Sequence, residues 1–249
     1  MAKIKWRGGA LIAPIPPVMV SCGSLEKPNV LTIAWTGIIN TIPPKTYISV
    51  RPKRHSYGLI KESGEFVINL TTADLVRAAD YCGVYTGAKV NKFEKCSLTP
   101  SPSEEVSCPS IAESPLCLEC RVTDIIPLGT HDMFLADIVS VSVDESLIDD
   151  KGALHLDNAH LAAFAHGEYF ELGKKIGSFG FSVKKVKKSN NGSKKGKPHH
   201  KNKKRLNKAK KEVKNYVFYL FLFILINHFL QKFPTALLCK KAFACGKVC

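Results

Sequence analysis

The loop Arg51-Pro-Lys-Arg-His-Ser-Tyr57 places two arginines and a hydroxyl directly before a segment that is predicted to be helical. A helix begins with unpaired backbone N–H groups and the positive end of its dipole, which together favour a bound phosphate. The side chains of Arg51, Arg54 and Ser56 can complete such a site. A solvated basic loop is the alternative, but the helix start immediately after the loop favours phosphate binding.

The strand before this loop carries groups that suit a flat ring. Thr32 and Thr36 supply small hydroxyls on either side of the large indole of Trp35. An indole can cover an aromatic cofactor and exclude water, although it can equally fill a core. Threonine is also simply a good strand former. Together with the basic loop, these residues suggest a cofactor that has an aromatic ring and a phosphate tail.

Four segments of the chain, taken in order, resemble the flavin reductase-like family, and within it the flavoredoxin type most closely. They are residues 29–69, 86–93 (Thr-Gly-Ala-Lys-Val-Asn-Lys-Phe), 128–138 (Leu-Gly-Thr-His-Asp-Met-Phe-Leu-Ala-Asp-Ile) and 164–180. Asn91 stands where the family usually has aspartate. The resemblance extends over roughly residues 1–188.

This resemblance implies FMN bound in a split β-barrel, and a homodimer with FMN near the subunit interface. It places Lys92 near the cofactor, His131 at the flavin edge, where an imidazole can stabilise charge on the reduced ring, and Phe164 over the cofactor. Because the flavin carries the chemistry, no residue is assigned as catalytic, and no metal ligand is proposed. The predicted cofactor-binding residues are Asn29, Thr32, Trp35, Thr36, Arg51, Arg54, Ser56, Lys92, His131 and Phe164.

The pattern of apolar residues predicts the elements that position these groups. Gly64 is expected to end the first helix and Thr72 to cap the second, and the Ser- and Pro-rich residues 97–115 indicate a surface loop. Antiparallel strands with few helices indicate a mainly β fold with short helices, a β-barrel rather than a doubly wound sheet. No Gly-x-Gly-x-x-Gly follows a strand, so a Rossmann site is not indicated. The predicted strands are residues 30–39, 46–50, 65–70, 117–126 and 134–143, and the predicted helices are residues 56–63 and 72–81.

The formal net charge of +15 is concentrated at one end of the chain. Residues 1–183 hold 17 Lys/Arg and 20 Asp/Glu, so this part is slightly acidic, whereas residues 184–214 hold 15 Lys/Arg and one Glu. We therefore predict a globular domain over residues 1–188, a disordered basic low-complexity linker over 189–214 and a hydrophobic and basic extension over 215–249. The apolar run within the extension is shorter than the about 20 residues of a spanning helix.

The basic tail leaves several interpretations open. It can bind nucleic acid or anionic lipid by counterion release, and residues 215–231 can associate with a membrane surface. A readthrough or frameshift product is an equally serious hypothesis, because the family pattern ends near Lys188.

The cysteines and the N-terminus predict a cytoplasmic protein. Nine cysteines, an odd number, do not suggest a disulfide framework, and the first residues contain no apolar secretory core. Cys117 and Cys120 have the spacing of a redox or zinc pair, but they lie in a predicted strand, which favours two buried thiols.

Three classes of function remain. The first is a flavin reductase that takes hydride from NAD(P)H, and the second is a flavoredoxin-like electron carrier that exchanges electrons with a redox protein. The third is a non-catalytic protein that binds nucleic acid or a membrane through its tail. The near-complete set of cofactor positions favours the first two.

Overall fold

A seven-stranded antiparallel sheet dominates the computed structural model, which describes residues 1–183. The strands are β1 (Val18–Gly23), β2 (Pro28–Ile33), β3 (Thr36–Asn40), β4 (Lys45–Val50), β5 (Glu65–Asn69), β6 (Pro100–Ser101), β7 (Ser110–Ile111), β8 (Leu116–Pro127), β9 (Asp132–Val143), β10 (Ala162–Ala165) and β11 (Glu168–Glu171). The helices are α1 (His55–Ser63), α2 (Val76–Val84) and α3 (Lys92–Lys95). The predicted mainly β fold with short helices is confirmed.

The order of the strands explains how the sheet becomes a barrel. It runs β2-β1-β5-β8-β9-β4-β3, and the small pairs β10-β11 and β6-β7 lie outside it. β2 and β3 therefore stand at opposite ends of the sheet, although only Ala34 and Trp35 separate them in sequence. The sheet has to curl until these ends meet, and the N–H of Ser49 in β4 donates to the carbonyl of Trp35 at 2.9 Å. The barrel closes at Trp35.

The predicted strand over residues 30–39 was wrong in one respect. It is two strands, β2 and β3, which pair with different partners, β1 and β4. The apolar residues continue through the break, so the pattern along the chain does not reveal it. Only the closure of the barrel separates the two strands.

Two buried apolar clusters pack against the sheet, one on each of its faces. Inside the curl, Val20, Ile48, Phe66 and Phe134 pack together with Ile60 of α1, and all five are fully or almost fully buried. On the other side, α2 and α3 cover β1 and β2 through a second cluster, in which Met19, Val30, Ala79, Cys82 and Phe93 are buried. The wall formed by β2 therefore separates the barrel interior from the helical layer.

The predicted end of α1 is confirmed, whereas the predicted start of α2 was wrong. Gly64 ends α1 in the left-handed conformation, with φ 69°, as expected. α2 begins at Val76, four residues after the predicted cap at Thr72. The Thr72 hydroxyl accepts from the N–H of Leu75 at 3.3 Å, so it stabilises the turn before the helix rather than the helix itself.

Residues 97–115 are more firmly attached than a surface loop. Val106, Cys108 and Ile111 are buried, and Ser110–Ile111 pairs with Pro100–Ser101. The carboxylate of Glu119 on β8, 1% exposed, accepts from the backbone N–H groups of Glu104 at 3.0 Å, Glu105 at 2.7 Å and Val106 at 3.2 Å. Charged acceptors make strong hydrogen bonds, so this carboxylate anchors the segment to the sheet.

Within residues 1–183, no helix has both the length and the apolar character that crossing a bilayer requires. The predictions for residues 189–214 and 215–249 lie outside the described residues.

Candidate functional site

An open cleft of about 290 Å³ lies where the barrel closes. The end of β2 and the Ala34-Trp35 link form one wall, and the end of β4 and the loop after it form the other. Five of the ten predicted cofactor-binding residues line it, namely Thr32, Trp35, Arg51, Arg54 and His131. The fold thus brings together residues that are up to 99 positions apart in the chain.

The cationic side of the cleft is the start of α1. Arg54 is the N-cap of this helix, no side chain caps it, and its first turn contains no acidic residue. The N–H of Tyr57 donates to the carbonyl of Arg54 at 3.0 Å, and the N–H groups of His55 and Ser56 before it, with the positive dipole end, can face an anion. Arg51 and Arg54 are both exposed beside them. The arrangement matches the needs of a phosphate group.

His131 enters the cleft from the β8–β9 hairpin, between Leu128 and the start of β9. Arg51 Nε donates to His131 Nε2 at 3.4 Å, and His131 Nδ1 lies 3.0 Å from Thr130 Oγ1. In this arrangement Nε2 accepts, so Nδ1 carries the proton and donates to the threonine. Burial and, secondly, the positive charge of Arg51 lower the pKa of His131. Both effects favour the neutral imidazole, and the arginines supply the positive charge.

Asn29 and Ser56 lie behind this wall rather than in the cleft. Both are buried, with 7% and 2% of their surface exposed. Asn29 Nδ2 donates to Ser56 Oγ at 2.7 Å and to Cys22 Sγ at 3.3 Å. The pair joins β2 to the first turn of α1, so it fixes the helix end at which an anion would bind.

Gly87 completes this support and was not singled out by sequence reasoning. A Cβ atom at Gly87 would lie 1.9 Å from Asn29 Oδ1 and 3.1 Å from His55 Cδ2. The loop between α2 and α3 therefore packs directly against the start of α1. The sequence offered one indication of this role, because Gly87 lies within residues 86–93, the second of the four segments that resemble the family.

We expect Gly87→Ala to weaken cofactor binding about tenfold or more, because a methyl group would push Asn29 away from Ser56, an overpacking cost of roughly 1–3 kcal/mol. Fluorescence titration with FMN measures the change. Gly58→Ala in α1 is the matched control, since a Cβ there meets no atom within 4 Å. Equal affinities in the two variants would contradict the supporting role of this loop.

Lys92 is buried one layer behind the cleft. Only 4% of it is exposed, and Nζ donates to the carbonyls of Val30 at 2.6 Å and Cys82 at 2.9 Å. Burial lowers its pKa. The side chain ties α3 to β2 and α2, and it does not line the cleft, so its predicted contact with the cofactor stays a prediction.

The two threonine hydroxyls already have acceptors. Thr32 Oγ1 donates to the carbonyl of Ala79 in α2, and Thr36 Oγ1 donates to the carbonyl of Tyr47 at 2.6 Å. Thr32 lines the cleft, but Thr36 does not. Their hydroxyl oxygens remain acceptors, whereas donation of either hydroxyl to a cofactor would require a change of rotamer.

Phe164 lies on the other side of Trp35, in a second cleft of about 360 Å³. Its backbone pairs with Ile15 through two hydrogen bonds of 2.8 and 3.0 Å, and its ring contacts Tyr169 edge to face at 5.2 Å. Trp35, 38% exposed, lines both clefts. The indole is a shared wall, with the cationic cleft on one side and a largely apolar one on the other.

Cys117 and Cys120 do not form a joint site. Cys120 packs inside the barrel, whereas Cys117 packs with Val67 and Val106 in a separate cluster. Burial raises the pKa of both thiols. The prediction of two buried thiols is confirmed.

Comparisons with known proteins identify the family and the fold. A family model described as the flavin reductase like domain matches residues 12–173. The flavoredoxin of Desulfovibrio vulgaris (Miyazaki F) is similar at 31% identity with a TM-score of 0.69, covering 74% of this chain and 100% of that one. A flavoredoxin from Methanosarcina acetivorans gives 25% identity and a TM-score of 0.67 with the same coverage. An uncharacterized protein of Archaeoglobus fulgidus is 36% identical over 138 residues, 55% of this chain and 77% of that protein. The resemblance and the split-barrel fold predicted from the sequence are confirmed.

Proposed function

The chain belongs to the flavin reductase-like family and is a flavin-related oxidoreductase, and we propose that it binds FMN in the cleft at Trp35. One observation carries the choice of FMN. The uncapped start of α1 lies beside two exposed arginines at the edge of a cleft that an indole bounds. A dianionic phosphate fits the first feature and an aromatic ring the second.

Each group of the cleft has a separate task in this proposal. Arg51 and Arg54 pair with the phosphate, together with the N–H groups of α1. Neutral His131 orients Arg51 through Nε2 and adds no charge of its own. Trp35 excludes water from one side of the cleft. When bound, FMN supplies hydride or electron transfer, from NAD(P)H or a redox protein as donor.

The visible spectrum of the purified full-length protein tests this function. We expect flavin absorption that bleaches rapidly on anaerobic addition of NADH or NADPH, as in a reductase of the NAD(P)H:FMN oxidoreductase class. A chain that ends at Lys188 should keep the same spectrum, because the cleft lies within residues 1–183. Protein that carries no flavin and takes up none from added FMN would overturn the proposal.

An electron carrier is the second candidate. It is supported by the similarity to flavoredoxin, which extends over the whole of that chain at 31% identity. For a carrier we expect bound flavin that stays oxidised with NADH and NADPH and is reduced by dithionite.

The third class is a protein that binds nucleic acid or a membrane through its tail. For such a protein, truncation after Lys188 would abolish the main activity.

We also propose a homodimer located in the cytoplasm. The edge strand β3 and the turn after it expose three isoleucines, Ile38 at 66%, Ile39 at 48% and Ile42 at 89%. An apolar edge of this kind is usually covered by a partner.

The proposed cytoplasmic location rests on the cysteines. The six cysteines of residues 1–183 are free thiols, which is typical of a reducing compartment.

A further inference from the structure

Two cysteines outside the cleft lie close enough to react with each other. Cys82 Sγ in α2 and Cys96 Sγ, directly after α3, are 4.0 Å apart. A disulfide requires about 2.05 Å between the sulfurs, so the two sulfur atoms have to approach each other by about 2 Å. Neither thiol is part of the flavin cleft.

The two sulfurs differ in access. Cys82 is fully buried in the helical layer. Cys96 is half-buried and lines a cleft of about 800 Å³ on the outer side of α2, together with Tyr81, Lys95 and Ser97. A small oxidant can therefore reach the Cys96 sulfur from solvent, whereas the Cys82 sulfur is buried next to it and is not accessible. This is the arrangement of a reacting thiol and a resolving thiol.

The segment between the two sulfurs is the loop that supports the flavin site. It contains Gly87, which packs against Asn29 and His55 at the start of α1. It also contains Lys92, whose ammonium group binds the carbonyls of Val30 and of Cys82 itself. Fixing both ends of this loop would restrict the groups that hold the start of α1 in place.

We propose that Cys82 and Cys96 form a reversible intramolecular disulfide, which locks the loop between α2 and α3 against the cofactor site. The effect on the cofactor rests on the proposed FMN function, whereas formation of the disulfide is independent of that function.

The chemistry balances with a peroxide as the oxidant. The Cys96 sulfur attacks the O–O bond of hydrogen peroxide, giving a sulfenic acid and one water. The Cys82 sulfur then attacks the Cys96 sulfur, displaces hydroxide and loses its proton, giving the disulfide and a second water. Two thiols lose two electrons, and one peroxide gains them. A dithiol reductant reverses the modification by thiol–disulfide exchange.

The environment of Cys82 suits a slow, resolving role. Burial and, secondly, the neighbouring Cys96 sulfur raise the pKa of Cys82, while Lys92 opposes the shift.

Peptide mapping of the full-length protein under non-reducing conditions tests the proposal directly. After treatment with hydrogen peroxide, we expect a cross-linked peptide that joins Cys82 to Cys96 and is lost on addition of dithiothreitol. Cys96→Ser should abolish it, whereas Cys117→Ala should retain it, since that thiol lies in another cluster. A Cys96 that is oxidised to a sulfinic acid, or linked to one of the cysteines at 239, 245 and 249, would overturn the proposal.

Two further readouts separate the disulfide from its effect on the cofactor. Closing this ring should raise the thermal unfolding midpoint by roughly 5 °C or more. It should also slow release of FMN about fivefold or more, measured by stopped-flow fluorescence, and Cys96→Ser should remove this difference. A cross-link in protein that binds no FMN would leave the disulfide established and overturn the proposed function. A cross-link that leaves FMN release unchanged would overturn the locking role.

Discussion

Replacing Arg51 and Arg54 together with alanine is expected to lower FMN affinity by about 100-fold or more. Each charge-assisted hydrogen bond to a phosphate contributes roughly 1.5–3 kcal/mol, and every 1.4 kcal/mol is about tenfold in affinity. Both side chains are exposed, and Arg54 makes no capping hydrogen bond to α1, so the fold should survive the change. Fluorescence titration of the apoprotein with FMN measures the loss.

Two controls identify the phosphate as the group that these arginines bind. Riboflavin has the same ring system without the phosphate, so its affinity should change less than about threefold in the double variant. Lys53→Ala removes a third cation from the same loop, but Lys53 does not line the cleft, and FMN affinity should be almost unchanged. Equal losses for FMN and riboflavin would show that the arginines act on the ring or on the fold.

Glu119→Ala should cause the largest loss of stability of any single substitution considered. Its buried carboxylate accepts from three backbone N–H groups of the loop at residues 104–106, and alanine removes the acceptor of all three, including that of the buried Val106. We expect the free energy of unfolding to fall by about 3–5 kcal/mol, a large part of a typical total of roughly 5–15 kcal/mol. Urea unfolding of the apoprotein, followed by circular dichroism, gives the value.

The control variants separate the lost acceptor from the lost charge. Glu119→Gln keeps one carbonyl oxygen and should lose about half as much free energy as alanine. Glu62→Ala removes an exposed carboxylate from α1 and should change stability by no more than about 0.5 kcal/mol. If Glu119→Ala and Glu62→Ala unfold at the same urea concentration, the loop does not depend on this carboxylate.

Local signals predicted much of the fold. Alternation and β-branched residues indicated β4, β8 and β9 to within two residues, and Gly64 ended α1 because its left-handed backbone suits glycine. The basic loop was predicted to bind a phosphate, and Arg51 and Arg54 of this loop line the cleft, but phosphate binding itself stays a prediction. Each of these depends on residues close together in the chain.

Contacts distant in sequence account for what was missed. Lys92 would be exposed by its residue type, but the carbonyls of Val30 and Cys82 make a buried site for its ammonium group. Glu119 interrupts an apolar pattern in β8, and its partners are the N–H groups of a loop 13 to 15 residues earlier. A single sequence does not show which polar groups will meet in the interior.

The two-residue link at Trp35 also has a consequence for the order in which the molecule assembles. The hairpins on either side of it, β1–β2 and β3–β4, are local pairings that can form quickly. They become one sheet only through β5, β8 and β9, so closure must wait until the chain has been made as far as Val143. Non-local pairings of this kind form late. A nascent chain on the ribosome therefore has no cleft at Trp35 until its main sheet is complete, and cofactor loading follows synthesis of the barrel rather than accompanying it.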